Sequence, residues 1–141
     1  MPVEIQEFHK NLPESVAIQL VGVYVDSPEV VQAEQVLEQI RQGLAAGDRY
    51  YAGYFNGHYI CGVLIHDEVD HRSMRFLAVH PATRGRGVAE RLVDEVRRLE
   101  TLLKPGHLVT QFDTSDHELV SIFLAMGFLP HRDGQFRCTL S

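Results

Sequence analysis

The stretch that decides the interpretation of this sequence is Val79-His80-Pro81-Ala82-Thr83-Arg84-Gly85-Arg86-Gly87-Val88-Ala89. Before it, residues 74–79 have the apolar character of a strand, and after it residues 87–103 carry apolar side chains at helical spacing. The loop therefore leads from a strand directly into the N-terminus of an amphipathic helix. At such a junction the first backbone N–H groups have no partner within the helix, and the helix dipole places partial positive charge there.

The glycines and arginines of this loop favour an anionic ligand. Gly85 and Gly87 carry no side chain that would hold a ligand away from the backbone, and Arg84 and Arg86 add charged donors. Such a construction suits a phosphate or a pyrophosphate. Neither the Gly-Lys-Ser/Thr of a Walker loop nor the Gly-x-Gly-x-x-Gly of a dinucleotide fold is present. The alternative is an ordinary strand-to-helix turn with solvated arginines, which the agreement of glycines, arginines, strand and helix disfavours.

Length and composition indicate one globular domain over residues 1–141, because 45% of the residues are hydrophobic and 23% are charged. No apolar run approaches the ~18–20 residues that span a bilayer, and the first residues do not resemble a secretory signal. The two cysteines, Cys61 and Cys138, are too few for a disulfide framework or a Cys-rich zinc site. We therefore expect a cytoplasmic protein with no membrane partner.

Charge is distributed unevenly along the chain. The net charge of −6 argues against general nucleic-acid binding. Residues 1–70 hold 3 basic and 11 acidic side chains, whereas residues 71–141 hold 10 basic and 8 acidic ones. This asymmetry predicts a localised anion site in the second half of the chain.

Periodicity and turn signals predict the element order βααβββαβαββ, which is an α+β domain around a mainly antiparallel sheet. Asn56-Gly57 predicts a hairpin turn, and the polar residues 66–71 predict the next turn. The remaining predicted elements are strands at 3–8, 50–55, 59–65, 74–79, 107–112 and 136–140 and helices at 13–25, 87–103 and 116–126, with Pro13 in the first turn of the helix at 13–25. A further helix is predicted to begin at Ser27-Pro28, to continue through Val30 and to end at Gly47. Asp133-Gly134 predicts a last hairpin turn.

With these elements in place, the sequence resembles the GNAT superfamily of acetyl-CoA-dependent N-acyltransferases. The family's pyrophosphate motif, Arg/Gln-x-x-Gly-x-Gly/Ala, is matched in register by Arg84, Gly87 and Ala89. Residues 76–79 look like the family's pantetheine-binding strand, and residues 123–128 look like its last helix with a Gly-Phe ending. The resemblance covers about residue 48 to the end and implies a twisted GNAT sheet of six to seven strands flanked by about four helices.

The resemblance also implies where acetyl-CoA would bind, namely where the strand at 74–79 and the strand at 107–113 splay apart. Backbone amides of Leu77 and Val79 would hold the pantetheine arm. The implied pyrophosphate and remaining cofactor contacts come from Arg84, Gly85, Arg86, Gly87, Val88, Ala89 and Phe123.

The catalytic pair usual in the family is not matched. Its thiol-protonating tyrosine falls at Phe123, which cannot donate a proton, and its glutamate base falls at Ser73. Asp116 replaces an asparagine common at the start of the last helix. The candidates for acid–base work that remain open are Glu68, Asp70, Ser73 and Ser121, with His71 beside the first two.

Two functions remain open from the sequence. The first is an N-acetyltransferase that moves an acetyl group to a small-molecule or protein amine, with the acidic first half lining the acceptor side and favouring a cationic amine. The second is a non-catalytic acetyl-CoA sensor with a regulatory protein partner. It resembles the PanZ-type maturation factors of aspartate decarboxylase, which also lack the tyrosine and whose central hairpin is similar to residues 51–56.

A metal site is not expected. The densest group of metal-ligating side chains is His66, Asp67, Glu68, Asp70 and His71, all in the predicted turn at 66–71. Tight turns are commonly this polar because they are solvated.

Overall fold

A computed structural model describes residues 2–25, 32–112, 115–132 and 134–141. Its strands form one seven-stranded sheet in the order β1-β2-β3-β4-β5-β7-β6. The predicted order of elements is confirmed. The strands are β1 (Glu4–His9), β2 (Arg49–Phe55), β3 (His58–Asp67), β4 (Arg72–Val79), β5 (Gly106–Gln111), β6 (Leu129–Pro130) and β7 (Gln135–Leu140), and the helices are α1 (Glu14–Tyr24), α2 (Ala33–Ala45), α3 (Val88–Leu103) and α4 (His117–Ala125), with a single 3₁₀ turn at Pro81–Thr83 before α3.

The sheet is antiparallel at every pairing except the one between β4 and β5. That parallel pairing is short, running from Arg72 opposite Leu108 to Met74 opposite Thr110. The predicted hairpin between β2 and β3 is confirmed, with left-handed φ angles of 50° at Asn56 and 85° at Gly57.

Four local predictions need correction or lie outside the described residues. Pro13 precedes α1 as its N-cap and is not in its first turn. The predicted turn at 66–71 is shorter, because His66 and Asp67 continue β3 opposite Ser73 and Arg72. Asp48 and Arg49 hold these two side chains, so their polarity reflects partners within the sheet. The predicted helix start at Ser27-Pro28, with Val30, and the turn residue Asp133 are not described.

Two apolar cores lie on opposite faces of the sheet. Helices α1 and α2 contact β2 and β3, and α1 also contacts β4, whereas α3 packs on the other face. Alternation along β2 shows the division, since Tyr50 belongs to the α1–α2 core and Tyr51 to the α3–α4 core. Helices α1 and α2 cover the sheet only as far as β4. On the same face, the surface of β5 and β7 is therefore open and can form a groove.

A buried charge cluster ties α3 to the sheet. Glu100 is fully buried and accepts hydrogen bonds from the guanidinium of Arg49 at 2.7 and 2.8 Å, from Arg72 at 3.2 Å and from the Tyr51 hydroxyl. Arg49 also donates to Asp67 at 2.8 and 3.1 Å, and this hydrogen bonding lowers the pKa of Asp67. The sequence reasoning missed this cluster, although Glu100 continues the buried stripe of Val93 and Val96 at helical spacing.

Candidate functional site

The loop from β4 to α3 presents backbone donors at the start of a helix. Gly85 and Gly87 have left-handed φ angles of 77° and 74°, which residues with a side chain rarely adopt. Gly87 is the N-cap of α3, and the first helical hydrogen bond runs from Arg91 N–H to Gly87 O at 3.0 Å. The N–H groups of Val88, Ala89 and Glu90 therefore precede the helical ladder and are free to point at an anion.

The two arginines of the loop go in different directions. Arg84 donates from Nε to the carbonyl oxygen of Val79 at 3.1 Å, so it lies along the end of β4. Arg86 is exposed and lines a different hollow of about 480 Å³ beside His80 and Thr83, between α1 and the β2–β3 hairpin. The structure thus brings Arg84 to the end of β4 and places Arg86 in the hollow beside α1.

The end of β4 exposes a backbone edge. The N–H of His80 donates to Ile60 O in β3 at 2.7 Å. In an antiparallel pair every second residue directs its N–H and C=O groups at the neighbouring strand, so His80 and the residue two positions before it direct these groups at β3. Leu77 and Val79 therefore direct their N–H and C=O groups away from β3, toward the β5 side. Pairing with β5 has already ended at Met74, so β4 and β5 leave an open cleft there.

A bulge in β4 precedes this edge. Phe76 and Leu77 together oppose the single residue Val63 of β3, because the register shifts between Gly62 and Leu64. Phe76 has a φ of 55°, which is uncommon for a bulky residue. The extra residue reorients the strand just before Leu77, and nothing in the local sequence marks a phenylalanine for this conformation.

Two of the four catalytic candidates share one groove. The Ser73 hydroxyl donates to a carboxylate oxygen of Glu68 at 3.2 Å, and Arg75 approaches the same oxygen at 3.2 Å. We call the depression that they line the β4 groove. It has a volume of about 460 Å³ and is lined by Glu68, His71, Ser73, Met74, Arg75, Phe76, Val109, Gln111 and Gln135.

The other two catalytic candidates point elsewhere. The side chain of Asp70 is 87% exposed and bonds to His71 Nδ1 at 2.7 Å, a hydrogen bond that lowers the pKa of Asp70. Ser121 is exposed on α4 and does not line the β4 groove. Asp116 is the N-cap of α4, where it accepts from the N–H of Leu119 at 3.1 Å, so its acid serves the helix start.

Phe123 lies in the apolar core. It is 2% exposed and stacks on Phe112 with ring centroids 4.8 Å apart, and it meets Phe128 edge-on at 5.2 Å. The position at which the resemblance expects a proton donor thus holds a ring packed between two others.

The acidic acceptor side expected from the first half of the chain stays a prediction. Of the acidic residues described in the first half of the chain, Glu68 is the one that lines the β4 groove, and Arg75 and His71 lie there with it. Other acids of the first half pair away from this groove, as Glu14 does with Arg41 and Asp48 with His66. Charge asymmetry along a sequence need not translate into one charged wall, because neighbouring residues leave for different faces of the sheet.

The described residues contain no group of three or more His, Cys, Asp or Glu side chains that could hold a metal ion. Within the same ranges, no helix is long and apolar enough to cross a membrane. Cys61 and Cys138 are free and buried, and burial raises the pKa of their thiols to about 12 and about 11. Burial therefore disfavours the thiolate, which is the nucleophilic form, at both positions.

Solved structures share this fold at low sequence identity. The ribosomal-protein-S18-alanine N-acetyltransferase from Escherichia coli is 12% identical with a TM-score of 0.76, covering 98% of this chain and 95% of its own. A GNAT-family acetyltransferase from Staphylococcus aureus is 12% identical with a TM-score of 0.75, at 98% and 100% coverage. A phosphinothricin acetyltransferase from Sinorhizobium meliloti, solved with acetyl-CoA, is 11% identical with a TM-score of 0.75, at 100% and 90% coverage.

At these identities the structural neighbours establish the GNAT fold, as the sequence predicted. No curated protein sequence matches the chain. A family model described as the acetyltransferase (GNAT) domain, PanZ, matches residues 5–136, which is most of the chain and includes the β4 edge, the glycine loop and Phe123. The chain therefore belongs to the PanZ family of GNAT acetyltransferase domains.

Proposed function

We propose that this protein binds acetyl-CoA in the cleft between β4 and β5 and acts as a regulatory sensor of that metabolite. The observation that carries the proposal is the contrast at one site. Backbone groups that suit a cofactor lie at Leu77, Val79 and the start of α3, and Phe123, at the position where the resemblance expects a proton donor, lies in the core.

The fit to the cofactor is argued from the backbone. The pantetheine arm would pair with the outward N–H and C=O groups of Leu77 and Val79, as an added strand does at a free edge. Its pyrophosphate would lie against Gly85, Gly87 and the N–H groups of Val88 and Ala89. Arg84 would add a charge-assisted donor after leaving Val79 O, and Arg86 would contribute charge at longer range.

The sensor role follows from the missing chemistry together with the family. A direct acetyl transfer needs a group that removes the proton of the amine and a group that protonates the thiolate. Glu68 is held by Arg75 and Ser73, and Phe123 has no proton to give. The PanZ-type proteins that the sequence resembles are acetyl-CoA-sensing maturation factors of aspartate decarboxylase, and we infer such a partner and a cytoplasmic location here.

The second candidate is an N-acetyltransferase, and the β4 groove favours it. Glu68 and Ser73 lie in a depression that also reaches Phe76, directly before the edge that would hold the thioester end of the cofactor. A neutral amine bound there would have a carboxylate within reach. A thiolate is a tolerable leaving group, since its conjugate acid has a pKa of about 8–9, so transfer without a side-chain acid would be slow and not absent.

Three measurements on the purified protein decide between these functions. Acetyl-CoA should raise the melting temperature, because a ligand that binds the native state stabilises it by about 2.7 kcal/mol at a hundred times its Kd. Aspartate decarboxylase should be retained on the immobilised protein in the presence of acetyl-CoA and released in its absence. Thiol release with a broad panel of amines should stay at the background rate.

Each result has a distinct meaning. An unchanged melting temperature in millimolar acetyl-CoA would contradict the cofactor, and with it both functions. Amine-dependent thiol release, together with no retention of the decarboxylase, would establish the enzyme and remove the sensor.

A further inference from the structure

The bulge of β4 is held from the α1–α2 side of the sheet by two buried hydroxyls. The Tyr24 hydroxyl, at the end of α1, lies 2.7 Å from the carbonyl oxygen of Phe76, and the Tyr50 hydroxyl lies 2.8 Å from that of Tyr24. A carbonyl oxygen only accepts, so Tyr24 donates to Phe76 and Tyr50 donates to Tyr24. Both rings are buried, at 1% and 0% exposure.

The neighbouring strand is shaped to admit this pair of hydroxyls. Gly62 in β3 pairs with Ala78, and a Cβ atom at Gly62 would lie 1.7 Å from the Tyr50 hydroxyl. Any side chain at Gly62 would therefore displace Tyr50 from its bond to Tyr24. Gly62, Tyr50 and Tyr24 together form a line of contacts that ends on the one carbonyl group of the bulge, and we call this line the tyrosine clamp.

The tyrosine clamp binds the carbonyl group of Phe76, a residue with an unusual backbone conformation. Phe76 is in a left-handed conformation at φ 55°, which is strained for a bulky residue and persists only where the surroundings hold it. Without the hydrogen bond to its carbonyl, the peptide between Phe76 and Leu77 is free to rotate toward ordinary strand geometry. That rotation would redirect the Leu77 N–H, which otherwise faces the cleft toward β5.

We propose that Tyr24 and Tyr50 are positioning residues, which hold the Phe76 bulge so that the N–H groups of Leu77 and Val79 face the pantetheine arm. The inference rests on the proposed function, since it assigns these residues a role only if acetyl-CoA binds the cleft. Neither hydroxyl contacts the cofactor in this arrangement. The glycine loop lies beyond the bulge, and the clamp does not contact it, so a ligand that uses the loop alone should not depend on the clamp.

The test compares two ligands on three variants. Tyr24→Phe removes the bond to the Phe76 carbonyl, Tyr50→Phe removes the supporting bond, and Tyr59→Phe is the matched control. The Tyr59 hydroxyl makes a comparable hydrogen bond of 2.6 Å to Gln6, and Tyr59 lies four residues along β3 from Val63, which opposes the bulge. The ligands are acetyl-CoA, which needs both the strand and the loop, and ADP, which carries the diphosphate without the pantetheine arm.

We expect the Kd for acetyl-CoA, measured by calorimetry, to rise about tenfold in Tyr24→Phe and less in Tyr50→Phe, as befits the loss of a buried hydrogen bond. The Kd of ADP, measured by its competition with acetyl-CoA, should change less than twofold in all three variants. Tyr59→Phe should match the wild type for both ligands. Melting of the unliganded variants reports folding separately, and Tyr50→Phe serves if Tyr24→Phe does not fold.

Equal losses for acetyl-CoA and ADP, or no loss of either in Tyr24→Phe, would overturn the inference while leaving the cofactor site intact. A wild-type protein that binds no acetyl-CoA would instead contradict the proposed function itself. The two failures are therefore distinguishable in the same experiment.

Discussion

The cleft edge and the β4 groove lie on the same strand and differ in the kind of group that forms them. The cleft edge and the loop beyond it are made of backbone: outward amides at Leu77 and Val79, and left-handed glycines at 85 and 87. The β4 groove is made of side chains, with Glu68, Ser73 and Arg75 bonded to one another. A site built from backbone tolerates every side-chain substitution that leaves the local backbone geometry in place, whereas chemistry built from side chains is lost when one of those side chains is replaced.

The largest effect is expected from closing the backbone site. Gly87→Glu should abolish the thermal shift by acetyl-CoA, because it places a side chain at a φ of 74° and adds a carboxylate next to Glu90, whose carboxylate oxygen lies 3.5 Å from the new Cβ position. Gly47→Glu is the matched control. Gly47 also has a left-handed φ, 107°, with open space around it and no part in the cleft.

Both glycine variants should lose comparable folding stability, and Gly47→Glu should keep the full thermal shift. A normal shift in Gly87→Glu would mean that the loop does not receive the pyrophosphate.

The next effect separates the two arginines of the loop. Arg84→Ala should weaken acetyl-CoA binding by about 1–3 kcal/mol, the typical cost of a lost hydrogen bond to a charged group. Arg86→Ala should cost less, because Arg86 lines the hollow beside α1. Calorimetry at low salt and at 0.5 M salt would check both, since screening reduces a purely long-range contribution. A larger loss in Arg86→Ala would reverse the assignment.

Part of each region could be predicted from the sequence: the glycine loop in the backbone region, and Glu68 and Ser73 in the β4 groove. The glycine loop can be predicted because the turn residues and the helical spacing that indicate it are local features of the sequence. The opening of β4 from β5 depends on pairing between distant segments, and the left-handed Phe76 depends on Tyr24 and Gly62, neither of which lies near it in sequence. Among the features that the sequence reasoning missed, the buried charge cluster had a usable sequence signal, because Glu100 is a charged residue on an otherwise apolar helical stripe.

The third prediction concerns the missing acid. Phe123→Tyr introduces a hydroxyl at the position where the resemblance to the wider GNAT superfamily expects a tyrosine, and in an enzyme that lacks only this group the transfer rate should rise by about 10²–10⁴. In the proposed sensor no amine-dependent thiol release should appear. Folding stability should fall by about 1–3 kcal/mol if the new hydroxyl stays unpaired between Phe112 and Phe128.

Thiol release by the wild type and by Phe123→Tyr would be measured on the same amine panel, with chemical denaturation for stability. Phe128→Tyr adds a hydroxyl to another fully buried ring of the same cluster and controls for nonspecific effects on the core. A rate increase in Phe123→Tyr but not in Phe128→Tyr would identify an enzyme that lacks only its proton donor.

The smallest effect is expected in the β4 groove, and it sharpens the comparison most. Glu68→Gln keeps the shape of the side chain and removes its charge, so the pair with Arg75 is lost. That pair is half exposed, and such pairs contribute about 0–1 kcal/mol, so the melting temperature should change by little. In a sensor whose cofactor is held by the backbone edge, the Kd for acetyl-CoA should stay within about twofold, because Glu68 does not form that edge. Were Glu68 a general base, any residual transfer measured in the wild type would fall by about 10²–10⁴ in Glu68→Gln and remain in Ser121→Ala, whose hydroxyl lies outside the groove. A Kd that rises tenfold in Glu68→Gln would show that groove and cleft are one site, and the division between backbone and side-chain regions would be wrong.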